Sequence, residues 1–276
     1  MAGRNNLRKK SDFDTVVSEV AEERNAAPKM GVLEDEYEML AGYKDENGVL
    51  HNTFVIRPMN GEDEEALARF KNSTAAKLIS AILERCVISI GSIEKAKTKK
   101  ADWHKIIENL YVADQDYILM RIRETSIGEE LKTVHKCPEC GTSITTALTV
   151  DELKVIEWDG EEGVPFELPR GYVDENGSVH KTGIIRYPRG IDREVTVPIA
   201  VKNAARGKTL MLTRLTQFDD DVEVNDKVIK SLTMGDRNYL QSLLNENQFG
   251  LDMSIEIECP ECGNVFNGGL NATNFI

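Results

Sequence analysis

Residues 43–65 read YKDENGVLHNTFVIRPMNGEDEE, and residues 172–194 read YVDENGSVHKTGIIRYPRGIDRE. The offset is 129 without a gap, and 12 of 23 positions are identical. Typical residue frequencies would give about one or two identities by chance. The shared residues include Asp45/Asp174, Asn47/Asn176, Gly48/Gly177, His51/His180, Arg57/Arg186, Gly61/Gly190 and Asp63/Asp192. A second pair of blocks follows at an offset of 122, matching Leu110/Leu232, Asp114/Asp236, Tyr117/Tyr239, Glu124/Glu246, Gly128/Gly250 and a whole CPECG block. Order and spacing recur together, so the chain reads as a tandem duplication with a long period, not as a solenoid of short units. We divide it into an N-terminal arm (1–30), copy one (31–155) and copy two (156–276).

Each copy is expected to be an α+β unit. Asn-Gly pairs at 47–48 and 176–177, flanked by strand-like segments, predict hairpins with positive φ at the turn. Pro58 and Pro188 end the returning strands. Periodicity predicts helices over 62–70 and 73–90, with 210–218 as the shorter counterpart in copy two. Helices are also expected to start near Asp114 and Asp236 and to stop at Gly128 and Gly250 in a left-handed cap. Strands 131–134 and 253–257 lead into the two cysteine turns, and strands 143–148 and 265–270 leave them. In the arm, Ser11 and Asp14 are placed to cap a short helix that ends before Pro28.

The chemistry lies in Cys137-Pro-Glu-Cys140-Gly141 and Cys259-Pro-Glu-Cys262-Gly263. A C-x-x-C turn sets two thiolates about one tetrahedral edge apart, and the following glycine permits the positive φ that closes the knuckle. Two knuckles supply four sulfur ligands, the donor set of a closed structural zinc site. The pairs are 118 residues apart, and the duplication accounts for that gap: each half offers one knuckle at an equivalent place. The favoured reading is one shared Zn2+ held by Cys137, Cys140, Cys259 and Cys262. The rivals are two separate sites completed by histidines such as His135, and a redox-active dithiol. His135 is replaced by Ile257 in copy two, and a redox dithiol normally opens a helix rather than joining two strands. The fifth thiol, Cys86, has no counterpart and reads as buried packing.

The recurring His51 and His180 read as structural, bonded within their hairpins or to Asp63 and Asp192. A catalytic role would require a recurring nucleophile, and neither copy supplies one. Lys95, Lys97, Lys99, Lys100 and Lys105 surround Trp103, a local basic stretch read as a solvated loop and helix start. There is no P-loop, G-x-S-x-G, H-E-x-x-H or dinucleotide fingerprint. A four-cysteine zinc site leaves no open coordination position for Lewis-acid catalysis.

Composition bounds the rest. The 276 residues are 41% hydrophobic and 29% charged, and 34 Lys+Arg against 47 Asp+Glu leave a net charge of −13. That balance disfavours wrapping nucleic acid, which needs a basic face. No apolar run reaches the length of a membrane span, and the first thirty residues carry charges where a secretory signal would be apolar.

The block Leu232, Asp236, Tyr239, Leu240, Gly250 and Cys259–Gly263, together with the hairpin 168–186 and the ending Asn274-Phe275-Ile276, is similar to segments of phage tail proteins. On these residues the chain resembles the T-even-type baseplate hub and tail-assembly chaperone family of contractile-tailed phages. The resemblance implies a non-enzymatic protein with structural zinc that binds hub or tape-measure components. It would be located in the virion tail or baseplate, or in the host cytoplasm during assembly, with no membrane or nucleic-acid partner. Two alternatives come from other classes. A zinc-ribbon nucleic-acid-binding regulator would need basic and aromatic residues around the knuckles, where Glu139, Glu256, Glu258 and Glu261 stand instead. A hydrolase built on His51/His180 and Asp63/Asp192 would lack a nucleophile.

Overall fold

Asp45 and Asp174 organise the two Asn-Gly turns in the same way. In the first, the Asn47 and Val49 amides donate to Asp45 Oδ1 at 2.9 and 2.8 Å. In the second, the Asn176 and Ser178 amides donate to Asp174 Oδ1 at 2.9 and 2.8 Å. These amides, Val49 and Ser178 foremost, hold both carboxyls below the usual carboxylate range. Only the glycine of each pair has positive φ, 80° at Gly48 and 86° at Gly177. The turn is therefore an ordinary one closed by a left-handed glycine, not one with two positive-φ residues.

The computed structural model describes residues 34–70, 73–220 and 222–270, so the arm and the 271–276 ending lie outside the described residues. In copy one, β1 (Asp35–Lys44), β2 (Leu50–Ile56), β3 (Val87–Ile90) and β4 (Ile93–Glu94) form an antiparallel sheet in that order. In copy two, β8 (Gly163–Val173), β9 (Val179–Arg186) and β10 (Thr216–Phe218) repeat its first three strands. Each first strand bulges at a glycine the aligned segment just misses. Gly42 (φ 89°) and Gly171 (φ 85°) lie so close to the partner strand that a Cβ would sit 2.9 Å from the His51 carbonyl and 2.6 Å from that of His180. The bulge turns the backbone toward the helix behind it.

The helices of copy one are α1 (Gly61–Leu67), α2 (Ala75–Cys86), α3 (Lys100–Asn109) and α4 (Val112–Ile127); those of copy two are α5 (Gly190–Lys202), α6 (Ala204–Leu215), α7 (Asp226–Ser231) and α8 (Met234–Glu246). Three expectations are corrected here. The 73–90 helix stops at Cys86, because Val87-Ile-Ser-Ile is β-branched and pairs with β2. The counterpart of 61–86 in copy two is two helices, not one short one. Pro198 and three valines lower the helix propensity of α5, and its contacts with copy one, Gly190 to Leu110 and Arg193 to Gln115, hold it in place. Gly128 does follow α4, but with φ 123° it leads toward a strand instead of curling into a left-handed cap; α8 stops earlier, at Glu246 with Asn247 as its cap, and Gly250 (φ 119°) lies in a strand.

One motif fixes the strand-to-helix corner in both copies. Asp63 is fully buried and takes Arg57 in a bidentate pair at 2.6 and 3.0 Å, Arg85 Nε at 2.7 Å and the Asn60 amide at 3.0 Å. Asp192 takes Arg186 at 2.7 and 2.9 Å, Arg214 Nε at 2.7 Å and the Arg189 amide at 2.9 Å. Against the cost of burial, the paired guanidiniums and the capping amides hold both carboxyls below their ordinary range. Behind the corners lie two cores. One gathers Phe54, Ile56, Ile82, Leu83, Ile107, Ile118 and Ile122; the other gathers Phe166, Ile185, Leu212, Leu215, Ile229 and Leu240. Each such side chain contributes roughly 1.5–3 kcal/mol on full burial. Leu270 of copy two is buried in the first core, with Met253 and Ile255 packed against it, so the second cysteine hairpin leans on the first half.

The halves are also sewn together by backbone. The Val112 amide donates to the Pro188 carbonyl at 3.0 Å, and the Gly190 amide donates to the Leu110 carbonyl at 2.9 Å. Gly190 is pressed onto Gln115, where a Cβ would fall 1.9 Å from Nε2. Arg193 of α5 reaches across to Gln115 Oε1 at 2.5 Å and to Asp116. A short ladder pairs β7 (Val155–Ile156) with β11 (Gly250–Leu251). Tyr111, Trp158, Tyr187 and Phe249 cluster along the same joint, with ring centroids 5.1–6.1 Å apart.

Candidate metal centre

Two antiparallel hairpins carry the cysteines. β5 (Leu131–Lys136) and β6 (Ser143–Leu148) flank the first turn; β12 (Ser254–Glu258) and β13 (Val265–Gly269) flank the second. The knuckles close identically. The Gly141 amide donates to the Cys137 carbonyl at 3.0 Å and the Gly263 amide to the Cys259 carbonyl at 2.9 Å. Both glycines have φ near +70°, at 74° and 70°. The spacing-based expectation for the glycine thus corresponds to an observed backbone need.

The two turns meet. Cys137 Sγ lies 3.6 Å from Cys262 Sγ, and Cys140 Sγ lies 3.5 Å from Cys259 Sγ. All four sulfurs lie within 4.8 Å of one another, a group able to hold a metal ion. A tetrahedral ion with metal–sulfur bonds of about 2.3 Å needs sulfurs about 3.8 Å apart, so the donor set and its dimensions fit. The contacts are reciprocal: each knuckle's first cysteine touches the other's second. Cys137 and Cys259 are buried, while Cys140 and Cys262 face outward.

The electrostatics ask for a cation. The Thr142 hydroxyl, 3.2 Å from Cys140 Sγ, and the Thr142 amide pull that thiol down to about 6. The Asn264 amide favours the Cys262 thiolate, yet desolvation and the three adjacent sulfurs push Cys262 up to about 12. Neighbouring thiols that cannot all ionise together become a four-thiolate set once a cation neutralises them.

The remaining candidates fall into place around this centre. His135 Nε2 contacts Thr133 Oγ1 at 2.7 Å, and its ring covers Gly268 of the opposite hairpin, where a Cβ would meet Nδ1 at 2.7 Å. It therefore packs the hairpins together and does not enter the sulfur cluster. His51 stacks on Tyr43 and stands 3.5 Å from Asp45; His180 stacks on Tyr172 and stands 3.5 Å from Asp174. They sit on their hairpins as expected, but neither bonds Asp63 or Asp192, which arginines take up: His51 faces the turn aspartate Asp45, and His180 bonds Asp220 at 2.9 Å with Asp174 at 3.5 Å on its other nitrogen. Cys86 is fully buried, and burial pushes its thiol up to about 11. Trp103 is a core residue and Lys95 Nζ donates to the Arg85 carbonyl at 2.9 Å, while Lys97, Lys99, Lys100 and Lys105 are exposed on the loop and helix start. Arg85 and Arg214, the second clamps on the buried aspartates, were missed in the sequence reading. They lie at the same 129 offset, beyond the most similar stretch.

A cavity of about 360 Å³ opens at the joint between the halves, against Val112, Tyr187, Pro188, Leu244, Phe249 and Met253. Its lining is mostly apolar, with Asp116, Asp252, Gln241, Asn245 and Gln248 as its polar groups. No helix among the described residues is long and apolar enough to cross a membrane.

The family described as T4 bacteriophage base plate protein matches residues 42–267, and the chain belongs to that family. Searches of curated proteins and of solved structures return no significant match. Membership gives the chain a structural role in a phage baseplate, in association with other tail or baseplate proteins.

Proposed function

We propose that this is a non-enzymatic baseplate hub or tail-assembly protein in which one structural zinc, bound by Cys137, Cys140, Cys259 and Cys262, locks two duplicated halves into a rigid docking piece for hub or tape-measure components. The observation that carries the reading is the reciprocal sulfur cluster drawn from hairpins 122 residues apart. Four thiolates around a tetrahedral ion favour zinc among common metals and leave it coordinatively closed. The ion supplies cross-linking, as a disulfide would in an oxidising compartment, and no chemistry on a substrate. The net charge of −13 keeps such a piece soluble before docking and weakens nonspecific attraction to DNA.

Metal analysis tests the centre. One zinc per chain is expected, lost whether Cys137 and Cys140 or Cys259 and Cys262 are changed to Ser, with a marked fall in melting temperature. Two zincs lost one pair at a time would overturn the shared site. Co-purification with the hub and tape-measure proteins of the same particle tests the partner assignment, and its failure with zinc intact would refute that part alone.

A further inference from the structure

Unlike the reciprocal cysteine contact, the helical joint between the halves is head to tail. Copy two offers the start of α5, with Gly190 and Arg193; copy one offers the turn into α4, with Leu110, Val112, Gln115 and Asp116. The repeat offsets carry each of these residues to a counterpart. Gly190 and Arg193 become Gly61 and Glu64 on α1; the receiving turn becomes Leu232, Met234, Arg237 and Asn238 at the start of α8. In copy one the donor surface is open; in copy two Met234 and Asn238 of the receiving turn are exposed, Arg237 is half-buried and the Leu232 side chain is buried. Gly61 and Glu64 are exposed, and a Cβ on Gly61 would meet nothing within 4 Å. Met234 is 68% exposed. Arg237 has a buried Nε with no partner among the described residues, although its other arm reaches Thr209 at 2.8 Å.

The charges have been exchanged across the counterpart pair. Inside the chain, Arg193 binds Gln115 and Asp116. At the open ends, the donor position is Glu64 and the receiving positions are Arg237 and Asn238. The exposed α1 face is acidic, with Glu62, Glu64 and Glu65, and Lys208 stands beside the receiving turn, bonded to Asn238 at 2.9 Å. Swapping both signs preserves the attraction between an open front and an open back, which a single chain cannot bring together while its halves hold the observed joint.

We propose that the protein self-associates head to tail, α1 of one copy seating on the 232–238 turn of a second copy, with Glu64 paired to Arg237. The backbone bonds of the internal joint would recur as Gly61 N–H to Leu232 C=O and Met234 N–H to Met59 C=O. A contact of this kind generates a ring where the rotation closes and a filament where it does not. The inference rests on the repeat and the internal joint, and stands apart from the metal reading.

Sedimentation of the full chain over a concentration series tests it. The wild type is expected to associate, more weakly at high salt. Glu64→Arg and Arg237→Glu should each weaken association by about tenfold or more, and an equimolar mixture of the two variants should regain it. Gly61→Leu should block assembly without changing the melting temperature, because its side chain enters open space in the single chain. Should Arg237→Glu fail to fold, Glu64→Arg and Gly61→Leu, both at exposed positions, carry the test. A wild type that stays a single chain up to its solubility limit, or an assembly indifferent to these substitutions, would overturn the proposal.

Discussion

Asp114 and Asp236 occupy the same place in the two copies, the third residue of the helix behind the bulged strand, and are held differently. Asp114 accepts the Leu40, Ala41 and Gly42 amides at 2.8–3.2 Å. Asp236 accepts the Arg170 amide at 2.9 Å and the Thr233 hydroxyl at 2.7 Å. Copy one has Tyr111 at the capping position where copy two has Thr233, and Tyr111 is drawn into the aromatic joint. The carboxylate in copy one is left to backbone amides alone. One residue type at matching positions thus serves two ends: in copy two it completes a local cap, and in copy one it ties a strand to a buried helix start without a countercharge.

Three experiments probe how far the copies still behave alike. The largest effect is expected where they match most closely. Asp63→Ala and Asp192→Ala should each destabilise by about 2–4 kcal/mol in denaturant melts, below the fully buried case because the freed arginines are partly hydrated. A large loss for one and none for the other would break the equivalence of the corners.

The second experiment concerns Asp114. Burial, opposed by the amides of Ala41, Leu40 and Gly42, raises its carboxyl to about 6. A raised folded value means its favourable contribution is complete below about pH 4 and is lost as pH rises through about 6, worth up to about 3 kcal/mol. The depressed carboxyls of Asp63 and Asp192 work the other way and lose stability only at more acidic pH. Asp114→Asn should therefore flatten the stability profile between about pH 4 and 6. A profile that keeps its slope there would show that other groups set it.

The smallest pair is Gly190→Ala against Gly61→Ala. The first forces a methyl into Gln115 and should cost about 1–3 kcal/mol; the second enters open space on a helix and should be neutral or gain up to about 1 kcal/mol. Equal effects in thermal melts would mean the joint is looser than its contacts indicate.

The two kinds of information in the sequence had different reach. Cysteine spacing and turn glycines speak through short-range chemistry, so the knuckles and hairpins were legible; Arg57 and Asp63 were legible as recurring residues, but their pairing was not, since the same spacing left Asp63 open to His51. Their convergence depended on the repeat being recognised. Local propensity was weaker. Val87–Ile90 and Thr216–Phe218 continue from helices without a break signal and become strands only because a sheet edge awaits them. The α5 helix contradicts Pro198 and survives through contacts made elsewhere. The joint was illegible because its backbone pairing depends on residues with no motif, Leu110–Val112 and Pro188–Gly190. The bulge glycines Gly42 and Gly171 are equivalent in both halves, yet they lie one residue before the segment whose identity draws attention.

The placement of the sulfurs along the chain sets a timetable for synthesis. A ribosome releases the first knuckle's two thiols while the second pair is still untranslated, and the intervening stretch takes roughly 6–24 s at bacterial rates. Closure of the clasp consequently waits for the second knuckle, so a product terminated before Cys259 lacks it and can be told from one that carries both pairs.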